Sequence, residues 1–200
     1  MPLPRTGTTT VSATGNLAAA GQRARRARIL DASVVLASKG GYDAVQMRMV
    51  AGQAGVALGT LYRYFPSKVH LLVSALAREL EQSEERLGRV PGATPDERIL
   101  FVLGRITQAM QRSPMLTEAM TRAFMFADPS AAAEVNEVAS LLERMLTRAI
   151  HEGQPTPEES AVARIIGDVW LSNLVAWVTR RASANDVSEH LELAVRLLVR

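Results

Sequence analysis

Apolar residues recur at intervals of three and four through most of this chain, the spacing of one buried helix face. Gln22–Lys39 carries Ile29, Leu30, the small Ser33, Leu36 and Ala37 on one stripe, and Gly40–Gly41 stop it. Gln46–Ala54 follows with Met47, Val50, Ala51 and Ala54, and Ala57–Tyr64 with Leu61, paired to Phe65 four residues on. Val69, Leu72, Val73, Leu76 and Leu80 begin a longer helix that runs to Arg86, after Pro66 and a capping Ser67. The same period then predicts helices over 96–112, 115–126, 130–152, 159–181 and 186–200, with GRVPGATP (88–95) and QPTPE (154–158) as loops. The fold class expected is all-α. Residues 1–21, rich in Thr, Ala, Gly and Pro without a sustained period, read as a disordered tail.

The two short patterns joined at Gly55-Val56 form a helix-turn-helix, whose second helix enters the DNA major groove. With Leu61 and Phe65 inward, Leu58, Gly59, Thr60, Tyr62, Arg63 and Tyr64 share the outer surface. Thr60 suits a thymine methyl or a phosphate, and Arg63 a guanine edge or a phosphate. One of the two tyrosines reaches phosphate, and the choice between Tyr62 and Tyr64 stays open. Gly59 costs about 1 kcal/mol against Ala inside a helix, a cost that makes sense where backbone approaches DNA closely. Gln46 and Arg48, in the first turn of the crossing helix, and Lys68, at the start of the next, are further phosphate candidates. His70 follows Lys68 and is placed to touch phosphate as well.

Charge strengthens this reading. Residues 1–68 hold nine basic side chains against Asp31 and Asp43, whereas the remainder is net acidic. Arg23, Arg25, Arg26 and Arg28 crowd the start of the first helix, opposing its dipole, and such a cluster calls for an outside anion. Arg25 and Arg26 are the backbone-phosphate candidates. The absence of cysteine excludes disulfides, thiolate metal sites and a cysteine nucleophile. No run of eighteen apolar residues is present and the N-terminus lacks a signal-peptide core, so a cytoplasmic protein without a transmembrane helix is expected. His70, His151 and His190 are scattered, and no metal spacing, nucleophile elbow or phosphate loop exists, so neither enzyme activity, metal nor cofactor is expected.

The C-terminal body divides between a cavity and an interface. Met110, Leu116, Met120, Phe124, Met145, Trp170, Asn173 and Trp177 are large, soft or polar-in-apolar, and form the candidate ligand pocket. Asn173 needs a partner, because an unpaired buried amide costs ~1–3 kcal/mol; a ligand carbonyl and a neighbouring backbone group both qualify. The helix over 159–181 is apolar nearly all round and must be covered on two sides. Val162, Ile166, Leu171, Val175 and Val178, with Leu191, Val195 and Leu198 from the last helix, are therefore the candidate homodimer interface. A dimer matches operators with two half-sites about 34–36 Å apart.

The segment GVALGTLYRYF (55–65), with Lys68 and Leu71 behind it, resembles the TetR family of one-component repressors. SKGGYDAVQMR (38–48), LTEAMTRAF (116–124) and DVWLSNLVAWVTRRAS (168–183) resemble in particular the actinobacterial members that control sterol (cholesterol) catabolism, and the likeness spans most of 22–200. Gln46 stands where the family usually has Ser or Thr, and Leu58 where a polar residue is common. The resemblance implies a DNA-binding domain over 22–68 and a ligand-binding and dimerisation domain over 69–200. It also implies release from a palindromic operator by a small hydrophobic effector, a steroid CoA thioester. A regulator of efflux or fatty-acid metabolism, and a DNA-binding dimer without a small ligand, are the alternatives.

Overall fold

Punctuation residues set the element boundaries. The computed structural model describes residues 10–151 and 153–199, and among these every regular element is helical. In order they are α1 (Thr10–Ala44), α2 (Met47–Ala54), α3 (Leu58–Tyr64), α4 (Lys68–Leu87), α5 (Pro95–Gln111), α6 (Pro114–Met125), a 3₁₀ turn (Pro129–Ala131), α7 (Ala132–Ile150), α8 (Pro157–Val178) and α9 (Ala184–Leu198). Ser67 caps α4 by accepting from the amides of Val69 and His70. Thr156 with Glu159, and Ser183 with Asp186, close reciprocal capping boxes on α8 and α9. Gly55 ends α2 at φ +64°, and Gly41 interrupts α1 at φ +66°. At the far end of α7, Arg98 donates to the carbonyls of Ala149 and Ile150 at 2.7 and 2.6 Å, satisfying groups the helix leaves open.

One expectation changes at the N-terminus. α1 starts at Thr10, inside the segment read as a disordered tail. The run Leu17-Ala18-Ala19-Ala20 has high helix propensity, which outweighs the Thr- and Gly-rich composition used to assign the tail. Residues 1–9 lie outside the described residues.

α4 is the spine. Its residues His70 to Ala77 and Leu80 are buried, and it packs on α1, α5, α6 and α7. Ile29, Leu30, Val50, Leu61 and Phe65 of the head belong to the same continuous apolar cluster as Leu76, Leu146, Trp170 and Val195 of the body. Head and body therefore share one core that runs along α4. Trp170 is fully buried with its indole N–H donating to Thr107 Oγ1 at 3.0 Å, the pairing a buried indole requires.

α8 is long and apolar enough, at mean hydropathy 1.4, to span a membrane by length and composition. Packing against α7 and α9, with Arg164 and Asp168 on its surface, gives that apolarity a different use. The interface reading needs correction here. Ile166, Leu191 and Val195 lie in the chain's own core and offer nothing to a partner, while Val162, Leu171, Val175, Val178 and Leu198 are half-buried. On α8 and α9 the large apolar side chains left in water are Ile165, Leu193 and Leu197. On α9, Leu191 and Val195 point inward and Leu193 and Leu197 outward, two stripes of the same period.

Candidate DNA-binding surface and effector cavity

The helix-turn-helix is built from few residues. Val50, Ala51 and Ala54 bury one side of α2, and Leu61 and Phe65 anchor α3 and its exit. The turn closes with the Val56 amide on Ala51 O at 3.0 Å. α3 then presents Gly59, Tyr62 and Arg63 to solvent, with Leu58, Thr60 and Tyr64 half-buried. Leu58 and Tyr64 lean on the core, so the outward face is narrower than the sequence suggested. Of the two tyrosines, Tyr62 is the exposed one. A Cβ added at Gly59 would meet no atom within 4 Å, so nothing inside the protein requires glycine there.

Between α1 and α3 lies a groove of about 640 Å³, lined by Gln22, Arg25, Arg28, Gly55, Val56, Ala57, Thr60, Arg63 and Tyr64. Three guanidinium groups from two helices converge on it, the arrangement that suits a phosphate chain. Arg25, Thr60, Arg63 and Tyr64 of the predicted set meet there, and Gln22 and Arg28 are additions. Arg28 also donates from Nε to Ala54 O at 3.3 Å, holding the end of α2. Its spacing of three from Arg25 already placed both on one helix face. Arg26 is exposed, with its guanidinium 5.4 Å from the centre of the Phe65 ring. Gln46 and Arg48 are exposed at the start of α2, where Gln46 occupies the capping position but makes no capping bond.

Two predicted phosphate contacts are turned elsewhere. Lys68 donates to Tyr42 O at 3.1 Å and sits 3.8 Å from the centre of the Tyr42 ring. Burial pulls its pKa below the usual 10.5, with Asp43 opposing. His70 is buried, paired through Nδ1 with Ser67 Oγ at 2.9 Å and through Nε2 with Ser130 O at 3.1 Å. Neither role was visible in the sequence, because Tyr42 and Ser130 lie 26 and 60 residues away along the chain, and only Ser67 is local.

The eight pocket residues do not line one cavity. Met110, Leu116 and Met120 border a small space of about 50 Å³ that also touches Glu79, Ile106 and Thr117. Phe124 and Trp170 border a second, of about 160 Å³, together with Leu76, Leu142, Gly167 and Leu171. Met145 is ordinary core and Trp177 is half-buried, and neither borders these two spaces. Asn173 takes the backbone alternative, donating to Val169 O at 2.8 Å, and its Oδ1 pairs with His190 Nδ1 at 3.2 Å. α4 and α6 both wall the two spaces, α4 with Glu79 and Ser83 at one and Leu76 at the other, α6 with Leu116, Thr117 and Met120 facing one and Phe124 the other.

Residues 29–75 match the family described as "Bacterial regulatory proteins, tetR family", and residues 92–198 match "Tetracyclin repressor-like, C-terminal domain". The chain belongs to the TetR family. Within the TetR family it is 63% identical to the HTH-type transcriptional repressor KstR of Rhodococcus jostii strain RHA1, across 92% of this chain and 87% of that protein. The resemblance to actinobacterial repressors of sterol catabolism thus extends over nearly the whole chain. The crystal structure of a TetR transcriptional regulator from Rhodococcus sp. RHA1 aligns with a TM-score of 0.84 at 31% identity, covering 89% of this chain and 97% of that one. The FadR regulator of Bacillus subtilis, solved in complex with stearoyl-CoA, aligns at 0.60 and 24% identity, over 86% and 96% of the two chains, and shows the same fold. The protein is a TetR-type regulator similar to KstR.

Proposed function

We propose that this protein acts in the cytoplasm as a homodimeric repressor, binding a palindromic operator and leaving it when a steroid CoA thioester enters the body. The observation that carries the DNA half is the groove in which Arg25, Arg28 and Arg63 converge beside the exposed face of α3. Tyr62, Arg63 and Gly59 face the bases and backbone of the major groove, and Arg25 the phosphates. Gln46 and Arg48 meet the backbone on the α2 side. The effector half is supported by the 63% identity to KstR and by the same fold holding an acyl-CoA in FadR.

The two spaces beside α6 hold about 50 and 160 Å³, whereas ligand pockets run to ~300–1,000 Å³. A bound effector therefore needs α6 displaced, and its affinity differs between the two settings of that helix. Such differential affinity is what shifts a conformational equilibrium. A hundredfold preference corresponds to about 2.7 kcal/mol, enough to empty an operator.

The test is fluorescence anisotropy of a labelled palindromic operator, titrated with protein alone, with a steroid CoA thioester, and with a straight-chain acyl-CoA. Release by the steroid thioester at lower concentration than the straight-chain compound is expected. Release only by the straight-chain compound moves the regulator to fatty-acid metabolism. Indifference to both leaves a DNA-binding dimer without a small ligand.

A further inference from the structure

Among the described residues the threonines buried in the core are Thr107, Thr117, Thr121 and Thr147. Three of their hydroxyls are paired. Thr107 Oγ1 accepts from the Trp170 indole at 3.0 Å, and Thr117 Oγ1 donates to Met110 O at 2.7 Å. Thr147 Oγ1 donates back along α7 to Glu143 O at 2.9 Å. Thr121, on α6, is the exception. It is 1% exposed, and its Oγ1 has no partner among the described residues. A hydroxyl removed from water without a replacement bond is a standing cost to the fold, so a buried group in this state calls for something that completes it.

Thr121 follows Thr117 by four residues and precedes Phe124 by three, which puts all three on one side of α6. Thr117 borders the smaller of the two spaces beside this helix and Phe124 the larger, while Thr121 borders neither. The helix rises about 10 Å from Thr117 to Phe124. An occupant long enough to run from one space into the other therefore passes the Thr121 hydroxyl. The side of α6 formed by Leu116, Thr117, Met120, Thr121 and Phe124 carries no charged residue. A hydroxyl both donates and accepts, so it can pair with a ketone or with another hydroxyl. An ionised group desolvated at the same point would need a counter-charge.

We propose that Thr121 is a specificity residue of the effector cavity, its hydroxyl bonding an uncharged oxygen, ketone or hydroxyl, on the ring system of the steroid thioester. The proposal rests on the effector reading above and adds to it which chemical feature of the ligand the cavity recognises by direction. Two consequences run in opposite senses. Without the hydroxyl the empty protein is more stable, because nothing unpaired is buried. Without it the protein also loses its preference for an oxygenated ring. Thr117 has neither property, because its bond is made within the chain.

The experiment compares the full chain with Thr121→Val, which keeps the shape and loses the hydroxyl, Thr121→Ser, which keeps the hydroxyl, and Thr117→Val. Thr121→Val is expected to melt about 2–4 °C above wild type, and Thr117→Val below it. Isothermal titration calorimetry without DNA then measures three steroid CoA thioesters that differ only in the ring system, bearing a ketone, a hydroxyl or no oxygen. Wild type is expected to bind at least one oxygenated compound tenfold more tightly than the deoxygenated one, a difference of about 1.4 kcal/mol. In Thr121→Val that preference is expected to fall below twofold, and in Thr121→Ser to stay above fivefold. Thr121→Ala, which also lacks the hydroxyl, is expected to lose the preference as the valine variant does. A preference undiminished in Thr121→Val and Thr121→Ala overturns the assignment, and so does a wild type that binds all three compounds alike. A Thr121→Val protein that melts below wild type overturns it as well, since the hydroxyl would then already be bonded. Failure of wild type to bind any of the three overturns the effector reading, and the assignment falls with it.

Discussion

Arg63 and Lys68 stand five residues apart, both basic, and the fold gives them opposite settings. Arg63 projects from α3 into the open groove, while Lys68 is spent on the carbonyl and ring of Tyr42. Each phosphate contact adds about 0.9 to the slope of log affinity against log salt. Arg63→Ala is expected to weaken operator binding by ~1–3 kcal/mol where it reads a base, and Arg25→Ala to lower the salt slope by about 0.9. Lys68→Met is expected to leave the slope unchanged and to lower the unfolding free energy by ~1 kcal/mol, the worth of a typical hydrogen bond. Anisotropy titrations across a salt series, with urea melts alongside, separate these outcomes, and a reduced slope in Lys68→Met would restore it to the phosphate-binding set. The distinction was not legible in the sequence. Residue type and position in a motif mark a basic side chain as available, but Tyr42 lies 26 residues away and only the closed fold shows Lys68 already occupied.

At the scale of elements, punctuation was the most readable layer. Gly55, Pro66, Ser67 and the prolines at 95, 114 and 157 mark helix ends because each has a stereochemical reason to sit there. Gly55→Ala forces a Cβ into the left-handed region at φ +64° and is expected to cost ~1–2 kcal/mol in a thermal or urea melt. Since the added methyl meets nothing within 4 Å, any larger loss would point to an altered turn, not a clash. Which way an apolar stripe faces was far less readable. A period of 3.6 looks the same whether it meets the chain's own core or another subunit, so the sequence pattern alone does not reveal that Ile166, Leu191 and Val195 are buried within the chain. α9 makes the ambiguity plain, since Val187, Leu191 and Val195 on its inward stripe and Leu193 and Leu197 on its outward one repeat at the same spacing. The cavity failed for a related reason. Large soft residues cluster in sequence-distant helices, but whether they surround one space depends on how α6 and α8 cross α4.

For the whole molecule, two tests address what holds it in one assembled piece. Glu84 on α4 bridges Arg144 at 2.7 Å and Arg148 at 2.6 Å on α7. The hydrogen bond from Arg144 holds its carboxyl below the ordinary value of 4.5, against the opposing effect of burial. A carboxyl depressed on folding stabilises the native state above its unfolded pKa, and that contribution fades as pH falls through the folded value. Glu84→Gln is expected to cost ~1 kcal/mol near neutrality, and the gap between variant and wild type should close below pH 4.5. The second test concerns the proposed dimer. Burying a leucine stabilises by ~1.5–3 kcal/mol, and each interface would use it twice. Leu193→Glu with Leu197→Glu is expected to yield a folded monomer in sedimentation equilibrium, with operator affinity lost at least tenfold. A dimer of undiminished strength would show that α9 faces solvent in the assembly.

In the proposed dimer, covering the exposed Ile165, Leu193 and Leu197 has a further consequence, for abundance. A chain that keeps these side chains in water until it meets a second copy has a stability tied to its own concentration, with a melting temperature that climbs as protein is added. Dilution then acts twice, emptying the operator by mass action and handing unpaired chains to proteases. A gene controlled in this way would switch on more sharply as repressor copies are partitioned at cell division than operator affinity alone would dictate.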